Sequence, residues 1–244
     1  SVEWLPLAMH LHAPPIQSAG DTTRTYRNIT LSNGLNCVLV SDPTTDKSSA
    51  ALQIGVGHMS DDTRTPGLAH FLEHMLFQGT KTYPGATSYK KYLAAHGGSS
   101  NASTGTVTTT YFFDITYQHL EPALDRFSKF FIEPLFSKDC TDRELNAVNS
   151  ENAKNLLNDS RRLFQLSKHL CNSTHNYHKF GTGNRQTLET TPKELGINVR
   201  ELLLHFHATY YSANIMKCCV LGRESLDDLE QLCITKFAQI PNHN

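Results

Sequence analysis

The sequence has no hydrophobic run near the ~18 residues that a membrane-crossing helix needs, so no helical span is expected. It has no cluster of five or more Lys and Arg. With 22 basic against 23 acidic residues the formal charge is −1, and the electrostatic footprint of a nucleic-acid or acidic-membrane surface is missing. There is no Cys-x-x-Cys pair. The six cysteines, Cys37, Cys140, Cys171, Cys218, Cys219 and Cys233, are widely spread, which favours reduced structural thiols over a disulfide frame. The start has neither the basic nor the apolar region of a signal peptide. It also has no initiator Met, so we expect a segment cut from something longer, with the cytoplasm as the default compartment. Four Asn-x-Ser/Thr sequons, at Asn28, Asn101, Asn158 and Asn172, are the sole secretion-like signal, and such tripeptides often arise by chance.

What is present is enough for one large domain: 244 residues, 39% hydrophobic and 18% charged, a globular composition. The segment "LNCVLVS" (35–41) follows the Asn33-Gly34 turn and reads as a strand, with "SSAALQIGVG" (48–57) as its hairpin partner. Thr65-Pro66-Gly67 opens a helix that Gly79 closes, and a second helix covers about 87–96. "SNASTGTVTTTYFFDITYQ" alternates small, β-branched and aromatic residues, which predicts one or two strands with a bend near Gly105. Leu120, Leu124, Phe127 and Phe131 then recur at helical spacing before Pro134. Further helices are expected over about 141–158 (capped by Asp139 or Thr141), 160–171, 192–208 and after Ser225, with a buried strand at 214–222. Strands, then helices, then strand and helix again predict an α+β two-layer sandwich: a mixed, mostly antiparallel sheet with helices on one face.

Inside the first helix, "GLAHFLEHMLFQGT" (67–80) sets His70, Glu73 and His74 among Leu68, Phe71, Leu72, Met75, Leu76 and Phe77. At about 100° per residue the two histidines stand about 40° apart, and all three groups span roughly 100° of the cylinder. Two imidazoles one turn apart can chelate one tetrahedral zinc, and the adjacent carboxylate is left to hold a water. This is HxxEH, the reverse of HExxH. Two satisfied core histidines are the alternative reading, but it leaves Glu73 on the same apolar surface unexplained. Catalytic zinc takes a third protein ligand. "TDRELNAVNSENAKNLLN" carries Glu144 and Glu151 two helical turns apart, with Val148 on the same stripe and Leu145 beside it. One carboxylate can ligate the metal while the other orients a ligand histidine. Without the HxxEH helix, a solvated acidic face balanced by Arg143 and Lys154 would be the better reading.

HxxEH with Glu151 standing 77 residues beyond His74, inside "NAVNSENAKN", resembles the pitrilysin or insulinase family of zinc metallopeptidases, the inverzincins. "HGGSSNASTG", "LDRFSKFFIEPLF", "KFGTGN" and "YYSANIMKCCVLGRESLDDL" follow in the same order. The resemblance covers about 24–241, leaving residues 1–23 as a leader expected to be poorly ordered. It implies a zinc endopeptidase domain, the first of a longer multi-domain chain, with the fold of pitrilysin and the mitochondrial processing peptidases. His70, His74 and Glu151 would hold one Zn2+ per chain, and Glu73 would be the general base. Glu144 would hold a ligand histidine, and Phe77 would help wall the site. Asn101 and Ala102 would belong to an edge strand that receives the substrate backbone, while Ser103 departs from the aromatic often found there. The partners implied are oligopeptide and small-polypeptide substrates, the remaining domains and a homodimer of the full-length enzyme. A non-catalytic structural or partner subunit of the same fold is the alternative, but such relatives typically have a broken HxxEH.

Overall fold

The protein is described here by a computed structural model covering residues 11–12, 20 and 23–243. Most of the expected leader lies outside the described residues. Within it, Leu11–His12 form a short strand β1, antiparallel to β2 (Thr25–Thr30). The sheet continues with β3 (Asn36–Ser41), β4 (Lys47–Ile54), β5 (Ser99–Thr104), β6 (Thr109–Thr116) and β7 (Met216–Gly222), in the order β1-β2-β3-β7-β4-β6-β5. The β3–β7 pair alone among the described pairs is parallel.

This order corrects one expectation. β3 and β4 are not hairpin partners, because β7 lies between them, with Cys37 opposite Cys218 and Leu52 opposite Cys218. The backbone of β7 is paired along both edges, and the chain leaving β3 stays tied to the end of β7, where Asp42 N–H donates to the Gly222 carbonyl at 2.8 Å. Residues two apart share a sheet face. On one face Leu39, Leu52, Tyr111, Phe113 and Val220 are buried, whereas Phe112, between two of them, is 45% exposed. The buried face is the one the helices cover, giving the expected two layers.

Helix α3 (Leu120–Ile132) lies on β4 and β6, and α8 (Leu226–Phe237) on β2 and β3. Phe127 and Phe131 of α3 meet Phe113 and Tyr111 edge-on, with ring centroids 5.2 and 5.6 Å apart. Each such ring, fully withdrawn from water, contributes on the order of 1.5–3 kcal/mol. Helices α1 (Leu68–Leu76) and α2 (Ser88–Ala95) pack against β5, and α4 (Lys138–Asn155) packs against α1. Helix α4 starts earlier than expected, after Ser137, so Asp139 and Thr141 lie inside it. The next helix, α5 (Asp159–His169), is capped by Asn158, whose side chain accepts from Arg161 N–H; Ser160 lies inside it. The expected helix 192–208 is interrupted. A wide turn at 186–190 leads into α6 (Thr191–Glu194), Gly196 breaks the chain, and α7 (Val199–Tyr210) begins after Asn198. Asn198 accepts from the N–H groups of Arg200 and Glu201, an N-cap stronger than anything in the preceding segment. No described helix is long and apolar enough to cross a membrane.

Candidate active site

Helix α1 is placed by its N-terminus. Gly67 caps it in the left-handed region at φ 97°, where a side chain would be strained. The cap acceptor comes from elsewhere: the buried Asp61 carboxylate accepts from Gly67 N–H at 2.7 Å and Ala69 N–H at 2.8 Å, satisfying donors that the first turn leaves open. Six apolar residues of α1 then go into the core, which turns the remaining stripe, His70, Glu73 and His74, toward a cleft of about 510 Å³.

Across the cleft, α4 presents Glu151. Its Oε2 stands 3.5 Å from His70 Nε2 and 3.6 Å from His74 Nε2, and the three candidate ligand atoms all lie within 4.8 Å of one another. Two donors each about 2.0–2.2 Å from a tetrahedral ion stand roughly 3.4 Å apart, so the spacing fits a single small cation. The outer ring nitrogens are occupied. His70 Nδ1 donates to the Thr182 carbonyl at 2.6 Å, and His74 Nδ1 to Glu144 at 3.0 Å. A metal-binding imidazole needs this arrangement, with the second nitrogen engaged and Nε2 free. His70, His74 and Glu151 can therefore hold a metal ion.

The electrostatics follow from packing. Burial is the largest influence on His70 and opposes its charge, but Glu151, the Thr182 carbonyl and Glu73 together outweigh it and hold the imidazole above its ordinary pKa. His74, likewise buried but facing both Glu144 and Glu151, is pushed up to about 9. The two imidazoles hold Glu151 well below the usual carboxylate range. Glu73 is 7% exposed, and burial raises its pKa against the lowering effect of Thr104, whose Oγ1 donates to Oε2 at 2.6 Å. A carboxylate lifted in this way is a better proton acceptor near neutrality.

Asn101 and Ala102 also line the cleft, on β5, one of the two edge strands of the described sheet. Phe77 is elsewhere. It is 8% exposed, lies in the aromatic core edge-on to Phe130 with centroids 5.2 Å apart, and is not among the cleft-lining residues. Sequence reasoning missed much of the rest of the cleft lining, including Thr104, His58 and Lys168. Thr104 had no signal beyond its strand. His58 and Lys168 are buried at 5% and 1% exposure and joined by a 2.7 Å contact between Nε2 and Nζ. Burial lowers both, His58 to about 4 and Lys168 to about 8. Lys168 sits on a helix that otherwise reads as polar, so nothing in its sequence marks it as interior.

Residues 36–174 match the family model described as Insulinase (Peptidase family M16), and residues 198–244 match that of the Peptidase M16 inactive domain. The insulin-degrading enzyme of Homo sapiens is 54% identical over 229 residues, covering 94% of this chain and 22% of that protein. The A-factor-processing enzyme of Saccharomyces cerevisiae is 54% identical over 220 residues, covering 90% of this chain and 21% of that protein. The crystal structure of pitrilysin matches with a TM-score of 0.88 at 40% identity, over 94% of this chain and 24% of that one. The fold is thus the α+β fold of pitrilysin. The chain belongs to the insulinase family of peptidases, family M16, and spans 21–22% of the length of these two curated relatives.

Proposed function

We propose that this chain is a zinc-dependent endopeptidase domain that hydrolyses oligopeptides and small polypeptides. The observation that carries the reading is the convergence of His70 Nε2, His74 Nε2 and Glu151 Oε2 beside the buried Glu73. Two neutral imidazoles and one carboxylate suit zinc better than calcium or magnesium, which prefer all-oxygen sets. His70, His74 and Glu151 would hold the zinc, which would supply Lewis acidity for activating water and polarising a substrate carbonyl. Glu73 takes the proton of the attacking water and returns it to the leaving amine. Thr104 holds one carboxylate oxygen of Glu73, leaving the other for that water. Glu144 and the Thr182 carbonyl keep the two imidazoles turned with Nε2 into the cleft.

The substrate backbone adds to the free edge of β5 at Asn101 and Ala102. Main-chain pairing there gives affinity with little demand on side chains. The further domains that a longer chain carries would close the cleft from the far side and complete the binding surface. The test is hydrolysis of an internally quenched peptide by the zinc-loaded chain and by Glu73→Gln. We expect Glu73→Gln to retain zinc and to lose about 10²–10⁴ in rate. Cleavage that survives the substitution, or loss of zinc from Glu73→Gln, would refute the division of roles.

A further inference from the structure

We propose that the loop 179–183 (Lys-Phe-Gly-Thr-Gly) is the positioning device for His70, fixing its imidazole with Nε2 in the cleft before any metal arrives. The inference rests on the zinc reading above. A carbonyl oxygen only accepts, so the 2.6 Å contact from His70 Nδ1 to the Thr182 carbonyl requires a proton on Nδ1 and turns Nε2 toward the cleft and Glu151. His74 is treated differently: its Nδ1 meets a carboxylate, that of Glu144. A charged acceptor can orient a ring through strength of attraction, but a neutral carbonyl is the weaker partner. It works as an orienting group only if the loop that carries it is itself fixed.

The loop is fixed onto the segment that begins helix α1. Lys179 Nζ donates to the carbonyls of Asp61 at 2.6 Å and Met59 at 3.0 Å. Asp61 in turn caps α1 through Gly67 and Ala69. At the other end of the loop the Gly183 backbone lies directly on Gly67, so that a Cβ on Gly67 would collide with it. Both glycines are in the left-handed region, at φ 97° and 77°. Lysine contacts below, a glycine-on-glycine crossing above and the Thr182 carbonyl between them make the loop and the start of the helix one body. His70 is the side chain that this body aims. Were the loop to shift, the imidazole would be free to turn and to exchange its proton between nitrogens, and each metal-binding event would then have to restore the order.

Two substitutions test this. Gly183→Ala puts a Cβ 2.7 Å from Leu188 Cδ1 and 3.2 Å from Gly67 Cα, in a backbone region that resists it. Lys179→Met removes the lower anchor with no demand on the backbone. Zinc Kd is read by competition with a chromophoric chelator, and the His70 Nδ1–H proton by NMR of histidine-labelled, metal-free protein. Lys193→Met, on the exposed surface of α6, is the matched control. Gly183→Ala is expected to weaken zinc binding by about 10- to 100-fold, the scale seen for outer-shell partners of ligand histidines. It should also abolish the hydrogen-bonded Nδ1–H signal. Lys179→Met should shift both readouts in the same direction, and carries the test alone if Gly183→Ala does not fold.

A folded variant with a lowered Tm but zinc Kd within twofold of the parent and an intact Nδ1–H signal would overturn the proposal, since a merely structural loop behaves that way. If the parent chain binds no zinc, the proposed function fails, and the NMR signal still decides the role of the loop.

Discussion

Glu144 offers the sharpest test of how the metal site is tuned, because its replacement separates charge from hydrogen bonding. Its carboxylate lies 3.0 Å from His74 Nδ1, with the two side chains 17% and 22% exposed, so little is lost to solvent screening. A hydrogen bond to a charged group contributes about 1.5–3 kcal/mol net, and one between neutral groups about 0.5–1.5. Glu144→Gln keeps an acceptor in place and removes the charge, a loss of about 1–1.5 kcal/mol. Glu144→Ala removes both, a loss of about 1.5–3 kcal/mol. At about 1.4 kcal/mol per tenfold, zinc affinity should fall by roughly tenfold for Gln and roughly 10- to 150-fold for Ala. The assay is chelator competition at pH 7.4, with circular dichroism and the urea midpoint showing that α4 is intact; Ala is a good helix former, so the helix should persist. Equal Kd values for parent, Gln and Ala, or a Gln variant weaker than Ala, would refute the reasoning, since either result would mean that Glu144 neither orients nor polarises His74.

Two further outcomes follow from the same neighbourhood. Burial raises Asp61 from 3.8 to about 7, so between those pH values the folded state holds a proton that the unfolded state has lost. Its contribution to stability is therefore greatest below pH 4 and falls by about 1.4 kcal/mol per pH unit as pH rises to 7, roughly 4 kcal/mol in all. The difference in unfolding free energy between parent and Asp61→Asn, measured without metal, should show that slope, and a flat difference would sink the idea. Thr104→Val removes the one hydrogen bond that lowers the Glu73 pKa, so the acid limb of the pH–kcat/KM profile should move upward, and an unmoved limb would show that Thr104 does not tune the base.

Some of this was legible along the chain. The i, i+4 geometry of His70 and His74 and the two-turn spacing of Glu144 and Glu151 follow from the helical repeat alone, so their shared faces were readable. The alternating burial of β6 and the apolar stripe of α3 were equally local, and they fixed which face of each element turns inward. The helix caps were less readable: Asn158 and Asn198 cap their helices where Ser160 and a continuous helix were expected, because several candidate caps stood close together and packing chose among them.

Other features depended on segments far apart in sequence. β7 lies between β3 and β4, and no pattern within β3 or β4 encodes a partner more than 160 residues away. Phe77 has the same apolar character whether it walls a cleft or fills a core, and only its neighbours Tyr89, Tyr111 and Phe130 settle the matter. The Thr182 carbonyl is a backbone atom, which no residue type announces. Lys168 reads as a solvated charge until α5 folds back and buries it against His58. The sequence by itself determined the donors and the helices that carry them, because a helix fixes angles between near neighbours. The tertiary structure alone decided which groups face those donors across the cleft, because that depends on how separate elements pack, and packing leaves no local periodicity to read.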